Sequence, residues 1–351
     1  MKVFVTGNLG YIGSILTDIL LEKKIDFIGY DIGYFKNCNL VNTNSNFKQV
    51  IKDIRDIEKN DLEDSDCIVH LSALSNDPLG EFDAKLTYDI NYLSTIRLAN
   101  FAKEAGVKRF IYISSQSMYG ISNINEELDE YSSNKNPVTE YAKTKWQAEQ
   151  ELNRLNSENF SVVSFRPSTV YGVSPRLRCD IVFNNLVASA YTTGKIQIKS
   201  DGSPWRPVIH VRDVCSAILA GLFAPTKLLA GKAFNVGTLN GNYTVKDLAE
   251  IVHKLIPNTE LVFTGEHLKD PRTYKVSFKK ILTELKDYYK PEWNLEKGAL
   301  ELINFFKKIS FNSSQFRGIS TNRLLCLSNL ILDKKLDNKF RKKKTFRSYN
   351  V

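Results

Sequence analysis

Apolar residues in the first half of the chain form short continuous runs, and most runs are followed by a longer stretch with a helical pattern. The runs predict strands at residues 2–6, 25–30, 47–51, 66–71, 108–114 and 160–166. The helical stretches lie at residues 11–23, 81–106 and 138–157, with a short element near 56–61. Strands that are apolar throughout are typical of sheets covered on both faces. Their alternation with helices predicts a doubly wound parallel sheet, and therefore an α/β fold.

The pattern changes after Gly172, where the elements become shorter and more mixed. Prolines and arginines crowd residues 174–178, and helices are predicted at 179–193 and 211–223. We therefore expect a second, smaller lobe of mixed α/β structure near the open edge of the sheet.

These changes divide the chain into three parts. We interpret residues 1–172 as the sheet domain and residues 173–310 as the smaller lobe, which can interleave with it. Residues 311–351 form a C-terminal extension, in which 320–332 predict a further helix and the basic residues beyond about 338 predict disorder.

The composition is that of a globular enzyme, with 42% hydrophobic and 25% charged residues. Much of the formal net charge of +9 comes from lysines and arginines near the C-terminus, which predicts a solvated tail and no nucleic-acid-binding face. No apolar run approaches the ~20 residues that span a bilayer, and the chain enters a strand at once. We therefore expect no contact with a membrane and no signal peptide.

The cysteines are scattered along the chain, at Cys38, Cys67, Cys179, Cys215 and Cys326. Because the sequence contains no CxxC pair, it predicts neither a zinc site nor a disulfide framework, and we expect no metal. Reduced thiols favour a cytoplasmic location.

A glycine-rich turn stands between the first predicted strand and the first predicted helix. Gly7 can form the tight turn, Gly10 lets the backbone approach phosphates, and Gly13 lets the helix pack on the strand. This arrangement presents backbone N–H groups and a helix N-terminus to a pyrophosphate. The second strand then ends at Asp31, where a carboxylate accepts a hydrogen bond from the ribose 2′-OH of NAD and repels the 2′-phosphate of NADP.

Tyr141 and Lys145 lie on one face of the predicted helix 138–157, because they are four residues apart. A phenol has a pKa of about 10, but an ammonium at ~4 Å and an effective dielectric of ~20 contributes about 4 kcal/mol, or roughly three pKa units. We expect Tyr141 to exchange a proton with a hydroxyl or ketone, and Ser115 to donate to the same oxygen.

The same Tyr-x-x-x-Lys spacing occurs a second time, at Tyr191 and Lys195. There Gly194 interrupts the helix, so the lysine would not lie over the tyrosine. Only the first copy follows a strand that ends in serines, and we therefore assign the chemistry to Tyr141.

Together these features resemble the extended short-chain dehydrogenase/reductases, the family of nucleotide-sugar epimerases, dehydratases and reductases. The resemblance covers about residues 1–310 and rests on the order and spacing of several segments. They are Thr6 to Gly13, Asp31, Asp53-Ile54, His70 to Ala73, Asn91, Ser114-Ser115, Met118 to Gly120, Tyr141 to Lys145, Arg166-Pro167 and Tyr171-Gly172. It implies a Rossmann sheet, NAD as cofactor, a nucleotide-sugar substrate, and a homodimer formed through helices at 88–105 and 141–156.

The resemblance also implies a role for individual residues, with Ser115, Tyr141 and Lys145 as the catalytic group. The residues implied for cofactor binding are Gly7, Asn8, Leu9, Gly10, Tyr11, Ile12, Gly13, Asp31, Asp53, Ile54, Leu71, Ser72, Ala73, Asn91, Tyr141, Lys145 and Pro167. The residues implied for substrate binding are Ser75, Ser115, Gln116, Ser117, Asn185, Arg206 and Arg272. The two arginines suit a diphosphate, because a guanidinium binds it bidentately. Asn8 departs from the family, which usually has Gly or Ala there.

The residues after Ser115 reduce the number of reactions that the chain could catalyse. Family members that dehydrate a 4-keto sugar carry Asp-Glu there, whereas this chain has Gln116 and Ser117, which are poor general acids or bases. We favour NAD-dependent epimerisation through a transient keto sugar. A 4-dehydrogenase or 4-ketoreductase, a 4,6-dehydratase, a deoxysugar 2-epimerase, and a non-catalytic NAD-binding regulator stay open as alternatives.

Overall fold

The computed structural model describes residues 1–43, 46–75, 77–123, 125–265 and 273–343. Its strands are β1 (Lys2–Thr6), β2 (Asp26–Asp31), β3 (Lys48–Ile51), β4 (Cys67–His70), β5 (Arg109–Ile113), β6 (Glu127–Leu128), β7 (Ser161–Pro167), β8 (Thr169–Tyr171), β9 (Lys195–Ile198), β10 (Trp205–His210), β11 (Lys232–Val236), β12 (Asn242–Thr244), β13 (Glu260–Phe263) and β14 (Lys275–Val276). Its α-helices are α1 (Tyr11–Glu22), α2 (Asp77–Gly80), α3 (Ala84–Tyr88), α4 (Ser94–Glu104), α5 (Glu140–Leu155), α6 (Val182–Thr193), α7 (Val211–Phe223), α8 (Thr226–Leu229), α9 (Val245–Leu255), α10 (Lys279–Glu284), α11 (Leu295–Lys308), α12 (Ser313–Arg317) and α13 (Arg323–Leu332).

The central sheet of the described residues has seven strands in the order β11-β7-β5-β4-β1-β2-β3, and each neighbouring pair is parallel. The predicted fold class is therefore confirmed, and six of these strands lie within one or two residues of their predicted positions. The seventh, β11, was not predicted. Since β11 lies beyond residue 172, the segment assigned to the second lobe returns to the sheet, and the division into domains stays a prediction.

The strand order reverses beside β1, which pairs with β2 on one side and with β4 on the other. In a doubly wound sheet, ligands bind outside the carboxyl ends of the strands at such a point. His70 fixes this edge: its ring nitrogens lie 2.7 Å from Thr6 Oγ1 and 2.8 Å from Thr95 Oγ1. Burial lowers the pKa of His70 to about 3, so the ring is neutral and structural.

The stretch predicted as one helix at 81–106 is broken into α3, a π-helical turn at Asp89–Leu93, and α4. The π turn contains Asn91, whose amide accepts from Leu74 N at 2.8 Å and donates to Leu74 O at 3.1 Å. An extra residue in one turn rotates a side chain relative to the regular helix, and such turns are frequent at functional sites. Here the turn aims Asn91 at the loop that follows β4.

The C-terminal extension packs against the N-terminal half of the sheet domain. After α13 the chain folds back and buries Leu336 and Phe340. The carbonyl of Phe340 accepts a hydrogen bond from the Tyr34 hydroxyl, and Arg341 Nη1 lies 3.2 Å from Asp53 Oδ2. The disorder expected beyond about 338 is therefore wrong for 338–343, because apolar anchors and an acidic partner hold this segment; residues 344–351 lie outside the described residues. Among the residues that the structure describes, no helix combines the length and apolarity needed to cross a membrane.

Candidate active site

A cavity of about 740 Å³ opens along the carboxyl ends of β1, β4 and β5. Its walls contain most of the predicted site residues: Gly7, Gly10, Tyr11, Ile12, Gly13, Asp31, Asp53, Ile54, Leu71, Ser72, Ala73, Ser75, Ser115, Gln116, Ser117, Tyr141, Lys145, Pro167, Asn185 and Arg206. Asn8, Leu9 and Asn91 are not part of its lining, and Arg272 lies outside the described residues. The fold thus brings residues from both halves of the chain to one cavity.

The glycine-rich turn forms a close-packed cradle at one wall of this cavity. Gly7 has a φ of +74°, and a Cβ there would lie 2.7 Å from Ser72 N. A Cβ at Gly13 would lie 2.2 Å from Gly7 O, so only glycine lets α1 approach β1 this closely. No side chain caps the N-terminus of α1 at Gly10. Its first N–H groups therefore suit a pyrophosphate, and the cradle fits the NAD that the sequence predicts.

Asp31 is oriented by two backbone N–H groups, from Leu9 at 3.2 Å and from Gly33 at 2.6 Å. Burial raises the pKa of its carboxyl, and these two donors act in the opposite direction. The carboxylate is therefore held in a fixed orientation at the cavity wall, where it suits the ribose hydroxyls of a dinucleotide.

Asn8 supports the glycine-rich turn without facing the cavity. Its amide pairs with the Gln49 amide, at 2.7 and 3.3 Å, directly under Gly29. A Cβ at Gly29 would lie 2.4 Å from Asn8 Nδ2, so the glycine makes room for the longer side chain. The departure from the usual small residue is therefore accommodated inside the fold, and the Asn8 side chain supports the turn without lining the cavity.

The residues predicted to be catalytic lie at the other end of the cavity, where β5 ends and α5 begins. Ser115 Oγ accepts from Ser117 N at 3.1 Å and shares a hydrogen bond with the Tyr141 hydroxyl. Thr139 caps α5 by accepting from Ala142 N at 3.2 Å, which fixes the helical turn that carries Tyr141. A Cβ at Gly80 would lie 2.7 Å from the Tyr141 Cβ, so α2 closes tightly over this turn.

The expected acidification of Tyr141 by Lys145 is wrong for this arrangement. Lys145 Nζ donates to Ile113 O at 2.7 Å and lies 4.8 Å from the centre of the Tyr112 ring. Burial lowers the pKa of Lys145 to about 7, against the charge of Glu149. Burial likewise raises the pKa of Tyr141, while the hydrogen bond with Ser115 and the charge of Arg178 lower it. Arg178, and not Lys145, is the cation that acts on the phenol.

Sequence reasoning missed Arg178 and its partner Asp180, which both line the cavity. The guanidinium binds the carboxylate through Nε and Nη2, both at 2.9 Å, and Nη1 donates to Ser75 Oγ at 2.9 Å. The signal was present in the arginines crowded at 174–178. The sequence could not show that the path of β7 and β8 brings this loop close to Tyr141.

Three predicted substrate residues lie along the same cavity with different surroundings. Gln116 Nε2 donates to Arg166 O at 2.9 Å, while its buried Oε1 has no hydrogen-bond partner among the described residues. Asn185 Nδ2 donates to Cys179 O at 2.8 Å, and Arg206 Nη1 donates to Trp205 O at 2.9 Å. Within the described ranges, no group of three or more His, Cys, Asp or Glu side chains is placed to hold a metal ion.

The buried Lys145 leads to a test of the ligand-free protein. Between pH 7 and 10.5 this lysine is protonated in the unfolded chain but neutral in the folded protein. Because the unfolded chain binds more protons, the free energy of unfolding rises with pH in this range. In Lys145→Met this contribution is absent, so the slope of the free energy of unfolding against pH should be smaller by up to about 1.4 kcal/mol per pH unit. The measurement is urea unfolding of wild type and variant from pH 7 to 10. Lys143→Met, on the exposed face of α5, is the control and should leave the slope unchanged; equal slopes for Lys145→Met and wild type would contradict the assignment.

Comparison with known proteins agrees with this architecture. Residues 3–237 match the model of the NAD dependent epimerase/dehydratase family. A human protein named dTDP-D-glucose 4,6-dehydratase is 31% identical over 271 residues, which are 74% of this chain and 75% of that protein. The UDP-glucose 4-epimerase of Mycolicibacterium smegmatis is 28% identical over 322 residues, which are 88% of this chain and 100% of that protein.

Solved structures give the same picture of the fold. UDP-glucuronic acid 4-epimerase from Bacillus cereus, in complex with UDP-glucuronic acid and NAD, matches with a TM-score of 0.75 and 23% sequence identity. The match covers 88% of this chain and 100% of that chain. NAD is the cofactor of this family, and the cradle described above fits it.

Proposed function

Because the chain belongs to the NAD dependent epimerase/dehydratase family, we propose that it epimerises a nucleotide diphosphate sugar by way of a transient 4-keto sugar. The observation that carries the proposal is the convergence of Ser115, Tyr141 and Lys145 on the cavity that contains the glycine cradle. These residues offer oxidation and reduction at one carbon, while the positions that follow Ser115 hold no carboxyl group.

In this proposal the glycine cradle and Asp31 would hold NAD, which would supply a reversible hydride acceptor for the sugar carbon. The chain's own part is to move a proton and to hold the sugar oxygen. Tyr141 takes the proton of the C4 hydroxyl, and Ser115 donates a hydrogen bond to the same oxygen as the ketone forms. Arg178 favours the ionised phenol through its charge. Lys145 holds the nicotinamide ribose, as the resemblance implies.

The side chains at 116 and 117 favour epimerisation over dehydration. Gln116 is tied to the Arg166 carbonyl through its amide nitrogen, and Ser117 N is tied to Ser115 Oγ. Neither side chain titrates near neutral pH, so neither can move a proton at the neighbouring sugar carbons. Relatives named 4,6-dehydratase and 4-epimerase both match this chain at about 30% identity, so identity alone does not select between the reactions.

We assign the substrate diphosphate to Asn185 and Arg206. Both line the cavity on elements of the second lobe, and a guanidinium can bind phosphate oxygens bidentately. We also keep the homodimer as a proposal, supported by Tyr88 and Leu93, which are large, exposed apolar residues in the helical segment assigned to the contact.

The function is tested by incubating the protein with UDP-, dTDP-, GDP- and CDP-sugars and following the products by NMR. We expect one sugar nucleotide to give an epimer that reaches equilibrium with the starting sugar, without net accumulation of NADH. Stoichiometric NADH would instead identify a dehydrogenase, and a 4-keto-6-deoxy product would identify a dehydratase. Either outcome would overturn the proposed epimerisation.

A further inference from the structure

The C-terminal extension brings a second cysteine to the loop that follows β2. Cys326 on α13 lies with its Sγ 3.5 Å from Cys38 Sγ, although the two residues are 288 positions apart. Both side chains are buried, and Cys38 Sγ also lies 3.4 Å from Ile319 O. The two sulfur atoms are in van der Waals contact, and formation of a disulfide requires them to approach by about 1.5 Å.

The charges of two guanidiniums act on Cys38. The hydrogen bond with Cys326 lowers the pKa of Cys38 to about 7 against burial, and the charges of Arg323 and Arg176 act in the same direction. Arg323 is held in place because its Nη2 donates to Arg176 O at 2.6 Å. A thiolate, and not a thiol, is the attacking species in cysteine oxidation. The surroundings therefore lower the pKa of Cys38 and raise that of Cys326, which favours the thiolate at Cys38.

The other cysteines lack these features. Burial raises the pKa of the thiols of Cys67, Cys179 and Cys215, so these side chains stay protonated. The structure thus separates Cys38, whose pKa is lowered and whose sulfur contacts that of Cys326, from three thiols whose pKa burial raises, although all five cysteines are free in the structure.

We propose that Cys38 and Cys326 form a redox-active pair whose disulfide ties α13 to the loop at the dinucleotide end of the cavity. This loop carries Tyr34 and Phe35, which line the cavity. The tie would add to the contact that the Phe340 carbonyl already makes with the Tyr34 hydroxyl. The inference does not depend on which sugar is converted.

The oxidant is a peroxide, and the reaction balances in two steps. The Cys38 thiol first loses its proton. The resulting thiolate attacks one oxygen of hydrogen peroxide, the O–O bond breaks, and the departing hydroxide combines with the released proton to give water. Cys38 is then a sulfenic acid. The Cys326 sulfur attacks the Cys38 sulfur, the S–S bond forms, and the S–O bond breaks. The departing hydroxide takes the Cys326 proton. Two thiols and one peroxide thus give one disulfide and two waters, with both electrons transferred to the peroxide oxygens.

The consequence that we expect is slower exchange of the cofactor. Because Tyr34 and Phe35 line the cavity, we expect their loop to open locally when a dinucleotide leaves. A covalent tie to α13 restricts that opening. Release of NAD from the oxidised protein should therefore be about tenfold slower, which corresponds to about 1.4 kcal/mol of added local stability.

The full-length protein is treated with hydrogen peroxide, digested without reductant, and analysed by peptide mass spectrometry, with NAD release followed in parallel by rapid dilution. We expect a peptide cross-link between Cys38 and Cys326 that dithiothreitol reverses, in wild type and in Cys67→Ser but not in Cys38→Ser. The cross-link in the wild-type protein can be identified even if one of the variants folds poorly.

Two results would overturn the proposal. Absence of the 38–326 cross-link, or oxidation of Cys67, Cys179 or Cys215 ahead of it, would show that the pair is not redox-active. A complete cross-link that leaves the rate of NAD release unchanged would show that the disulfide does not act on the cofactor site.

Discussion

Replacing Tyr141 with phenylalanine is expected to lower turnover of the nucleotide sugar by about 10²- to 10⁴-fold, the usual contribution of general acid–base catalysis. The variant loses the hydroxyl that shares a hydrogen bond with Ser115 and that we propose exchanges the sugar proton. The Cβ and backbone of residue 141 keep their close contact with Gly80, so the local fold should be unchanged and the affinity for NAD should change by less than about twofold.

The matched control is Tyr191→Phe, which alters the second Tyr-x-x-x-Lys of the chain. Tyr191 packs against the Phe306 ring at 5.4 Å, away from the predicted catalytic group. Turnover is measured by NMR with the sugar nucleotide found in the panel, and NAD affinity is measured by calorimetry. The assignment of Tyr141 fails if Tyr141→Phe keeps turnover close to that of Tyr191→Phe.

Replacing Glu149 with glutamine is expected to destabilise the protein by about 3–5 kcal/mol, because it leaves the buried Arg166 charge without its counter-ion. Arg166 Nε lies 3.0 and 3.2 Å from the two carboxylate oxygens, and both side chains are buried. Glu149 also follows Lys145 by one turn on α5. The pair therefore holds the helix that carries the predicted catalytic group against β7.

Glu151→Gln is the control for this substitution. Glu151 pairs with Arg154 at 2.7 Å on the exposed side of the same helix, where such a pair contributes at most ~0.5 kcal/mol. Both variants are compared with wild type by urea unfolding at pH 7. A loss of stability below about 1 kcal/mol for Glu149→Gln would contradict the role of the buried pair.

The sheet and the cradle could be predicted from sequence because their signals are local. Continuous apolar runs marked six strands, and the spacing of Gly7, Gly10 and Gly13 marked the turn between β1 and α1. The strand β11 was missed because the polar Asn235 interrupts the apolar run in its five residues, KAFNV. Its place in the sheet comes from pairing with β7, a contact between distant parts of the chain.

The electrostatics of the site depend on such distant contacts even more strongly. The spacing of Tyr141 and Lys145 predicts a shared helical face, and both residues line the cavity, but the spacing does not reveal that the Ile113 carbonyl binds the lysine. Nor does it reveal that Arg178 approaches the phenol from beyond β7. A helical spacing fixes which side chains share a face, whereas a pKa depends on every charge and carbonyl that packs against that face.

The C-terminal extension is a second case in which distant contacts decide the structure. Composition alone predicted disorder beyond about residue 338, yet Phe340 is buried and Arg341 pairs with Asp53. The partner of each residue lies near the other end of the sequence. A charge-rich segment is therefore not disordered when a folded domain offers it a complementary surface.

In the proposed epimerisation, hydrogen leaves C4 of the sugar and returns to the same carbon within one binding event. It is tested most directly by converting the sugar nucleotide deuterated at C4 and analysing the epimer by NMR and mass spectrometry. We expect the epimer to keep its deuterium at C4. Loss of the label to solvent, or its appearance in released NADH, would contradict it.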